Sequence, residues 1–487
     1  MAAFLLLAWL LIVEEERKRA VAPVVGLVLC GLVALPQLLP TLDAGLSGHR
    51  SGGATEEGWT FYQSQSLSVK HLSVLLAPSA FGLPQARVWE DPTITSYWLA
   101  IEEPGRHYAE LAFYVGPVVP ALALLGLFGA LRRRIGYAYL LALFGISVAL
   151  GTAVAKALYF WVPGWSSTGS PGRAAVLVAL GLCVAAGCAT RERLEKVPLW
   201  FWITSGLGLV LFGVASLRVA PSLGELIPAA EAQANWSRVS LVVTLLTVAL
   251  LWFARDSRRS RLVWGLASAA AALFLLGLHN GLNPTAPAGL YKEDNFLLSR
   301  LKGHSVAVVN DSWSLLQPAQ GVIAPPNSLL PYRIATADGY DSIILKITKQ
   351  RLDEVNRGDS APAANGNMLF VKPPVWEEGL ERLCVDYVLS DQPTDMPVAY
   401  EEDGVYVYKV GTGNNYPVVK ATATTLVLDE EHPKAIVFKS YLPPGWTPVG
   451  DGEYVYEPRG FRLGLLLAFV GIVGAFGISL RHRAQQS

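Results

Sequence analysis

Apolar residues along this chain gather into long unbroken runs, with polar residues confined to what lies between them. A helix rising ~1.5 Å per residue needs about 20 apolar residues to cross ~30 Å of hydrocarbon. Runs of that kind fall at Ala20–Leu42, Leu111–Leu131, Ile135–Val162, Ala174–Thr190, Val197–Leu217, Val239–Ala254, Leu262–Asn280 and Leu463–Leu480. A further apolar stretch, Met1–Val13, is too short to span alone. The pattern predicts a polytopic α-helical membrane protein with about nine transmembrane helices.

Two long polar stretches interrupt the runs. Asp43–Glu110 contains Ser66–Ala77, whose apolar residues recur at three- and four-residue spacing. It reads either as a short amphipathic helix lying in the membrane interface or as a loop packed on the bundle. Gly281–Arg462 mixes short alternating strands (His304–Asn310, Cys384–Ser390, Gly404–Val410) with one helical segment near Ser342–Asn356. The division expected is a transmembrane bundle over 1–280 with an outward loop at 43–110, then an extracytoplasmic α+β domain over 281–462. A final transmembrane helix and short cytoplasmic tail occupy 463–487.

Charge orients this arrangement. Clusters at Arg17–Arg19, Arg132–Arg134, Arg191/Arg193/Lys196, Arg255/Arg258/Arg259/Arg261 and Arg481/Arg483 fall on one side of the alternating spans. The positive-inside rule makes that side cytoplasmic. Trp161, Trp165, Trp200, Trp202, Trp252 and Trp264 lie near span ends, where amphipathic rings suit the interface. In the first segment the charges of Glu14–Arg19 follow the apolar core, the reverse of a signal peptide. The alternation also puts Met1 outside, as though Met1–Val13 were the second half of a helix whose upstream part is missing.

Composition agrees. The chain of 487 residues is 52% hydrophobic and only 16% charged, and its mean hydropathy is +0.36. A net charge of zero argues against a nucleic-acid partner. Four cysteines are too few for a disulfide framework, and Cys384 stands alone in the large polar region.

Candidate chemistry is sparse. No phosphate-binding loop, GxSxG, DxD or metal-ligand spacing occurs, so neither a metal nor a cofactor is expected. His49, His71 and His107 share no ligand spacing, and Asn235-Trp236-Ser237 is only a weak glycosylation sequon. Asp338–Asp341 (DGYD) reads as a structural turn. Glu110, at the mouth of the run beginning at Leu111, is either a general base or an interface marker. Arg50, Arg106 and Arg173 stand near outward span ends, where each either clamps a phosphate or snorkels beside headgroups. Lys156 is the one conspicuous basic residue within a run, close enough to its outer end to snorkel; a transporter would place charges at mid-membrane instead.

Several phrases together resemble the bacterial YfhO-type membrane protein family, grouped with the polyprenyl-phosphate-dependent (GT-C-like) glycosyltransferases. They are Leu35–Arg50, with Pro36, Gln37, Pro40, Ser47 and Arg50; Glu110–Gly116 (ELAFYVG); and Pro171-Gly172-Arg173 entering a span. In the large domain they are Asn327–Leu330 with Gly339–Ser342, Leu383–Ser390, Gly445-Trp446 with Asp451-Gly452, and Tyr456–Gly464. Each is short, but they run in order over most of the chain. Two departures stand out. The first outward loop, with the family's acidic residue, would lie before Met1, making this chain an N-terminally truncated member. Only Glu453–Val455 separates the Asp-Gly phrase from the entry to the last helix, so the last sheet is expected to be incomplete.

The resemblance implies sugar transfer from a polyprenyl phosphate, drawn from membrane lipid, to a cell-envelope acceptor on the outer face of the bacterial cytoplasmic membrane. Glu110 would be the catalytic acid/base, with Arg50, Arg173 and Arg106 on the donor phosphate. The competing reading is a truncated, non-catalytic scaffold or binding protein of the same family.

Overall fold

The computed structural model describes residues 21–49, 53–81, 112–127, 132–189, 197–219, 229–253, 257–279, 296–310, 324, 326–341, 343–361, 367–402, 404–440 and 442–484. The chain is mostly helical, with a separate sheet domain. It forms two compact units, Val25–Gly52 with Ala288–Ser487, and Gly53–Pro287 with the chain before Val25.

Helix α1 (Val21–Ser47) opens the described chain. The bundle then contains α2 (Glu56–Ser64), a 3₁₀ turn at Val69–Leu75, α3 (Val119–Gly126), α4 (Arg132–Ala149) and α5 (Ala153–Trp161). A 3₁₀ turn at Pro171–Ala174 leads into α6 (Ala175–Ala189), followed by α7 (Leu199–Val219), α8 (Ala229–Phe253) and α9 (Ser257–His279).

Among the described residues six helices are long and apolar enough to cross a membrane: Pro23–Ser47, Pro171–Ala189, Leu199–Arg218, Asn235–Phe253, Leu262–His279 and Phe461–Ile478. A bent pair, Gly136–Ala149 with Ala153–Trp161, makes a seventh if counted as one span. Met1–Val13 lies outside the described residues.

Two of the expected runs differ from straight helices. The run Ile135–Val162 turns by 81° between α4 and α5. Among the described residues of Leu111–Leu131, 112–118 carry no helix and Val119–Gly126 does. The segment nevertheless accompanies α6 over its length. Phe113 shares an apolar cluster with Ala175, and a Cβ on Gly126 would lie 3.4 Å from Ala189 Cβ. Ser66–Ala77 is helical in part, a 3₁₀ turn at Val69–Leu75, but it packs on the bundle, with His71, Ser73, Val74, Leu76 and Ala77 buried.

The domain begins with α10 (Phe296–Leu301) and β1 (Ser305–Val308), followed by β2 (Ala335–Thr336), β3 (Gly339–Tyr340), α11 (Lys346–Asn356), β4 (Met368–Leu369) and α12 (Glu377–Arg382). Strands β5 (Tyr387–Ser390), β6 (Val398–Glu402) and β7 (Val405–Lys409) complete a sheet ordered β2-β1-β5-β7-β6. The pairs β1–β2 and β1–β5 are parallel, and the remaining pairs antiparallel. Three of these strands fall on the alternating segments that the sequence marks, and α11 on the predicted helix.

A second sheet, β10-β11-β9-β8, joins β8 (Val418–Ala421), β9 (Thr425–Leu428), β10 (Trp446–Pro448) and β11 (Glu453–Tyr456), with α13 (Ala435–Lys439) between β9 and β10. The short Glu453–Val455 segment, expected to leave this sheet incomplete, itself forms most of β11 and pairs with both β9 and β10.

Helix α14 (Phe461–Ala484) leaves the second sheet and packs on α1. A Cβ at Gly464 would fall 2.7 Å from Pro36 N and Cα, so only glycine permits this approach. Gly471 meets Leu32 in the same way two turns on. The far end of α1 also reaches the domain, where Gly48 bridges Leu345 and His49 N donates to Ile344 O at 3.0 Å.

Candidate functional site

Helix α8 carries Ser237, Ser240, Thr244 and Thr247 at three-, four- and three-residue spacing, which places them on one face. All four are buried. Thr244 Oγ1 donates to Pro117 O at 2.6 Å, Ser240 Oγ and Tyr114 Oη are 2.8 Å apart, and Ser79 Oγ lies 2.7 Å from Ser237 Oγ. Ser79 N also donates to Ser237 Oγ at 3.1 Å. Non-helical backbone inside a bundle of apolar helices persists only where its polar groups find partners. Hydroxyls supply them without bringing a charge into low dielectric. The α8 face thereby pins the non-helical segment 112–118, the stretch that directly follows Glu110.

A second irregularity lies at the α4–α5 elbow. Gly151 sits there at φ +64°, and a Cβ on it would lie 2.2 Å from Ser66 Oγ. Thr152 caps α5 from the elbow, accepting from Val154 N at 3.3 Å and donating to Ser147 O at 2.8 Å. The turn 65–67 that follows α2 closes the gap: Leu67 N donates to Ala149 O at 2.8 Å, and Ser170 Oγ to Gln65 O at 3.3 Å. The elbow, the 65–67 turn and the turn that carries Arg173 are thus tied together by hydrogen bonds.

Arg173 is exposed at the start of α6, after the buried Pro171 and Gly172. Its neighbours Ala174 and Ala175 belong to the same apolar cluster as Phe113 and Tyr114. Two of the singled-out phrases, the one beginning at Glu110 and the one ending at Arg173, therefore converge through their described flanks. Glu110, Arg106 and Arg50 themselves lie outside the described residues.

The remaining candidates have structural roles. Lys156 stands on α5, 3.4 Å from Glu56 Oε2, in an exposed pair of little energetic weight. Ser237 of the sequon is buried with its hydroxyl engaged. His71 Nδ1 accepts from Ser68 N at 2.9 Å and caps its own 3₁₀ turn. In DGYD, Gly339-Tyr340 is strand β3 and Asp341 Oδ1 accepts from Ile343 N at 2.8 Å. Asp338 is buried where β2 diverges from β1, and Val308 N faces its carboxylate at 3.4 Å. Burial pushes its carboxyl up to about 7. The Cys384 thiol is likewise pushed up by burial, to about 11, which removes it as a nucleophile.

Among the described residues no group of three or more His, Cys, Asp or Glu side chains gathers as a metal site would. The hydroxyl face of α8 was legible as a 3-4-3 spacing of Ser and Thr, but only the broken backbone opposite it gives that spacing a purpose. No protein-family model matches the chain, nor does any curated protein or solved structure.

Proposed function

We propose that the chain is a membrane glycosyltransferase of the YfhO type, moving a sugar from a polyprenyl-phosphate donor to a cell-envelope acceptor. In this reading it crosses the bacterial cytoplasmic membrane about nine times, with the basic clusters inside and the 281–462 domain outside. The observation that carries the reading is the convergence of the Glu110 and Arg173 phrases on one apolar cluster. A general base and a phosphate-binding cation must meet within a few ångströms of one reacting carbon.

The chemistry follows from these groups. Glu110 takes the proton from an acceptor hydroxyl as its oxygen bonds to the anomeric carbon. The bond from that carbon to the phosphate oxygen breaks, and its electron pair leaves with the lipid phosphate. Arg173, with Arg106, offsets the charge gathering there. The pinned segment 112–118 keeps the backbone behind Glu110 from shifting as the donor enters from lipid.

The test is transfer of a labelled sugar from polyprenyl phosphate by the full chain in lipid nanodiscs. Glu110→Gln is expected to lower the rate by about 10²-fold or more, and Arg173→Ala to weaken donor binding. Unchanged transfer in Glu110→Gln removes Glu110 from the reaction. Donor binding without any transfer favours the non-catalytic scaffold.

A further inference from the structure

Helix α5 poses a separate question, because it leaves the bundle sideways. The helix before it, α4, runs alongside α6: Gly145 meets Ala174, Leu177 and Val178, and Gly181 meets Ala138 and Ala142. This pairing is antiparallel and brings the C-terminal end of α4 level with the Arg173 end of α6. Residues Pro171–Ala189 form one of the helices long and apolar enough to cross a membrane. The elbow at Gly151 therefore stands at one end of the membrane-crossing stack. From there α5 departs at 81° to α4. A helix perpendicular to a spanning helix, at the level where that helix ends, runs along the membrane surface.

Its side chains fit that position. Ala155 and Tyr159, one turn apart, are buried against the bundle. The opposite face presents Ala153, Val154, Ala157 and Trp161, and Trp161 is 82% exposed. At the edge between the two faces stands Lys156, paired with Glu56. A face with this much apolar surface and no charge is costly in water, whereas the headgroup–acyl boundary accommodates it. An exposed tryptophan with a cation nearby suits that boundary. On α4 too, Leu140 and Leu143 are exposed.

We propose that α5 is an in-plane interfacial helix whose Ala153/Val154/Ala157/Trp161 face is seated in the lipid of the leaflet at the Arg173 end of the bundle. Trp161 anchors it, and the hydrogen-bonded elbow passes that anchorage to the Arg173 turn, which is thereby held at headgroup depth. The proposal stands whether or not the chain transfers sugars, because it rests on the bend and the exposed face alone.

Site-directed spin labelling of the full chain in nanodiscs tests it. With the four native cysteines replaced by alanine, labels go one at a time on Val154→Cys, Ala157→Cys and Trp161→Cys, with Ala155→Cys as the packed control. Labels on the exposed face are expected to collide more with oxygen than with a water-soluble nickel chelate, at about 5–10 Å below the phosphates. The Ala155→Cys label should be immobile and shielded from both. Labels at 154, 157 and 161 that favour the nickel chelate overturn the proposal, as does shielding from both reagents, which would mean a protein covers the face. A second measurement keeps the native cysteines. Tryptophan quenching by shallowly and deeply brominated lipids is compared between the wild type and Trp161→Phe. The difference is expected to be a component quenched most by shallow bromines; a component quenched by aqueous iodide instead refutes the seating.

Discussion

In the helical bundle, the irregular stretches at 112–118 and 78–81 are met by hydroxyls: Thr244 donates to Pro117 O, Ser237 Oγ accepts from Ser79 N, and Ser240 pairs with the Tyr114 hydroxyl. In the 296–456 domain, irregular backbone is met by carboxylates. Asp386 accepts from Ser305 N, Asn415 N and Tyr416 N, and also bonds His304 Nδ1. Asp353 accepts from Ser360 N at 2.8 Å and from Lys349 Nζ at 2.7 Å. The difference follows the surroundings. A carboxylate makes stronger hydrogen bonds than a hydroxyl, but its desolvation is costly unless several donors converge on it. A domain with many free loop N–H groups provides such a convergence. A bundle of apolar helices does not, and neutral hydroxyls serve there instead.

The comparison is broken most severely at Asp386. Asp386→Ala leaves several buried donors without an acceptor and is expected to destabilise the domain by about 3–5 kcal/mol. The readout is the denaturant dependence of proteolysis at sites within 296–456, in nanodiscs. A loss below about 1 kcal/mol would mean water replaces the carboxylate.

Asp338 sharpens the same contrast, because it is a carboxylate without a convergent set of donors. Its folded value, about 7, stands above the ordinary 3.8 because burial disfavours the charge. The stability it contributes is therefore fully present below about pH 4 and is lost as pH rises towards 7, at up to about 1.4 kcal/mol per pH unit. Asp338→Asn should flatten that slope between pH 4 and 7, read from hydrogen exchange of the β1 amides after correction for the intrinsic rate. An unchanged slope would show that the carboxyl is ionised throughout the range.

Smaller effects are expected in the bundle. Gly151→Ala puts a methyl against Ser66 Oγ at a positive φ, which should cost about 1–3 kcal/mol. Combining it with Ser66→Gly should recover the steric part and leave the backbone part. Thr244→Val removes the donor to Pro117 O and should cost about 1 kcal/mol, whereas Thr244→Ser should cost less. Both are read from thermal inactivation of the nanodisc-held chain. A Thr244→Val effect as large as that of Asp386→Ala would contradict the division of roles between hydroxyls and carboxylates.

Much of this architecture is legible in the residues alone. The runs at Ala174–Thr190, Val197–Leu217, Val239–Ala254, Leu262–Asn280 and Leu463–Leu480 each become a membrane-length helix. The length of an apolar run is a local property, and so is the alternation that marks β1, β5 and β7. Local pattern cannot say whether an apolar run stays helical, and at two places it does not. Residues 112–118 carry no helix, and the groups that hold them, Thr244 on Pro117 O and Ser240 on the Tyr114 hydroxyl, belong to α8, which begins more than a hundred residues later. At the α4–α5 elbow the turn 65–67 packs against Gly151 and satisfies the end of α4. In the same way, glycines of α14 let it meet Pro36 and Leu32 of α1, from the opposite end of the chain. Composition and run length thus determined the solvent and the number of apolar segments. The breaks, the bend and the convergence of the Glu110 and Arg173 phrases were decided by tertiary structure, because each depends on hydrogen-bond or packing partners remote in sequence.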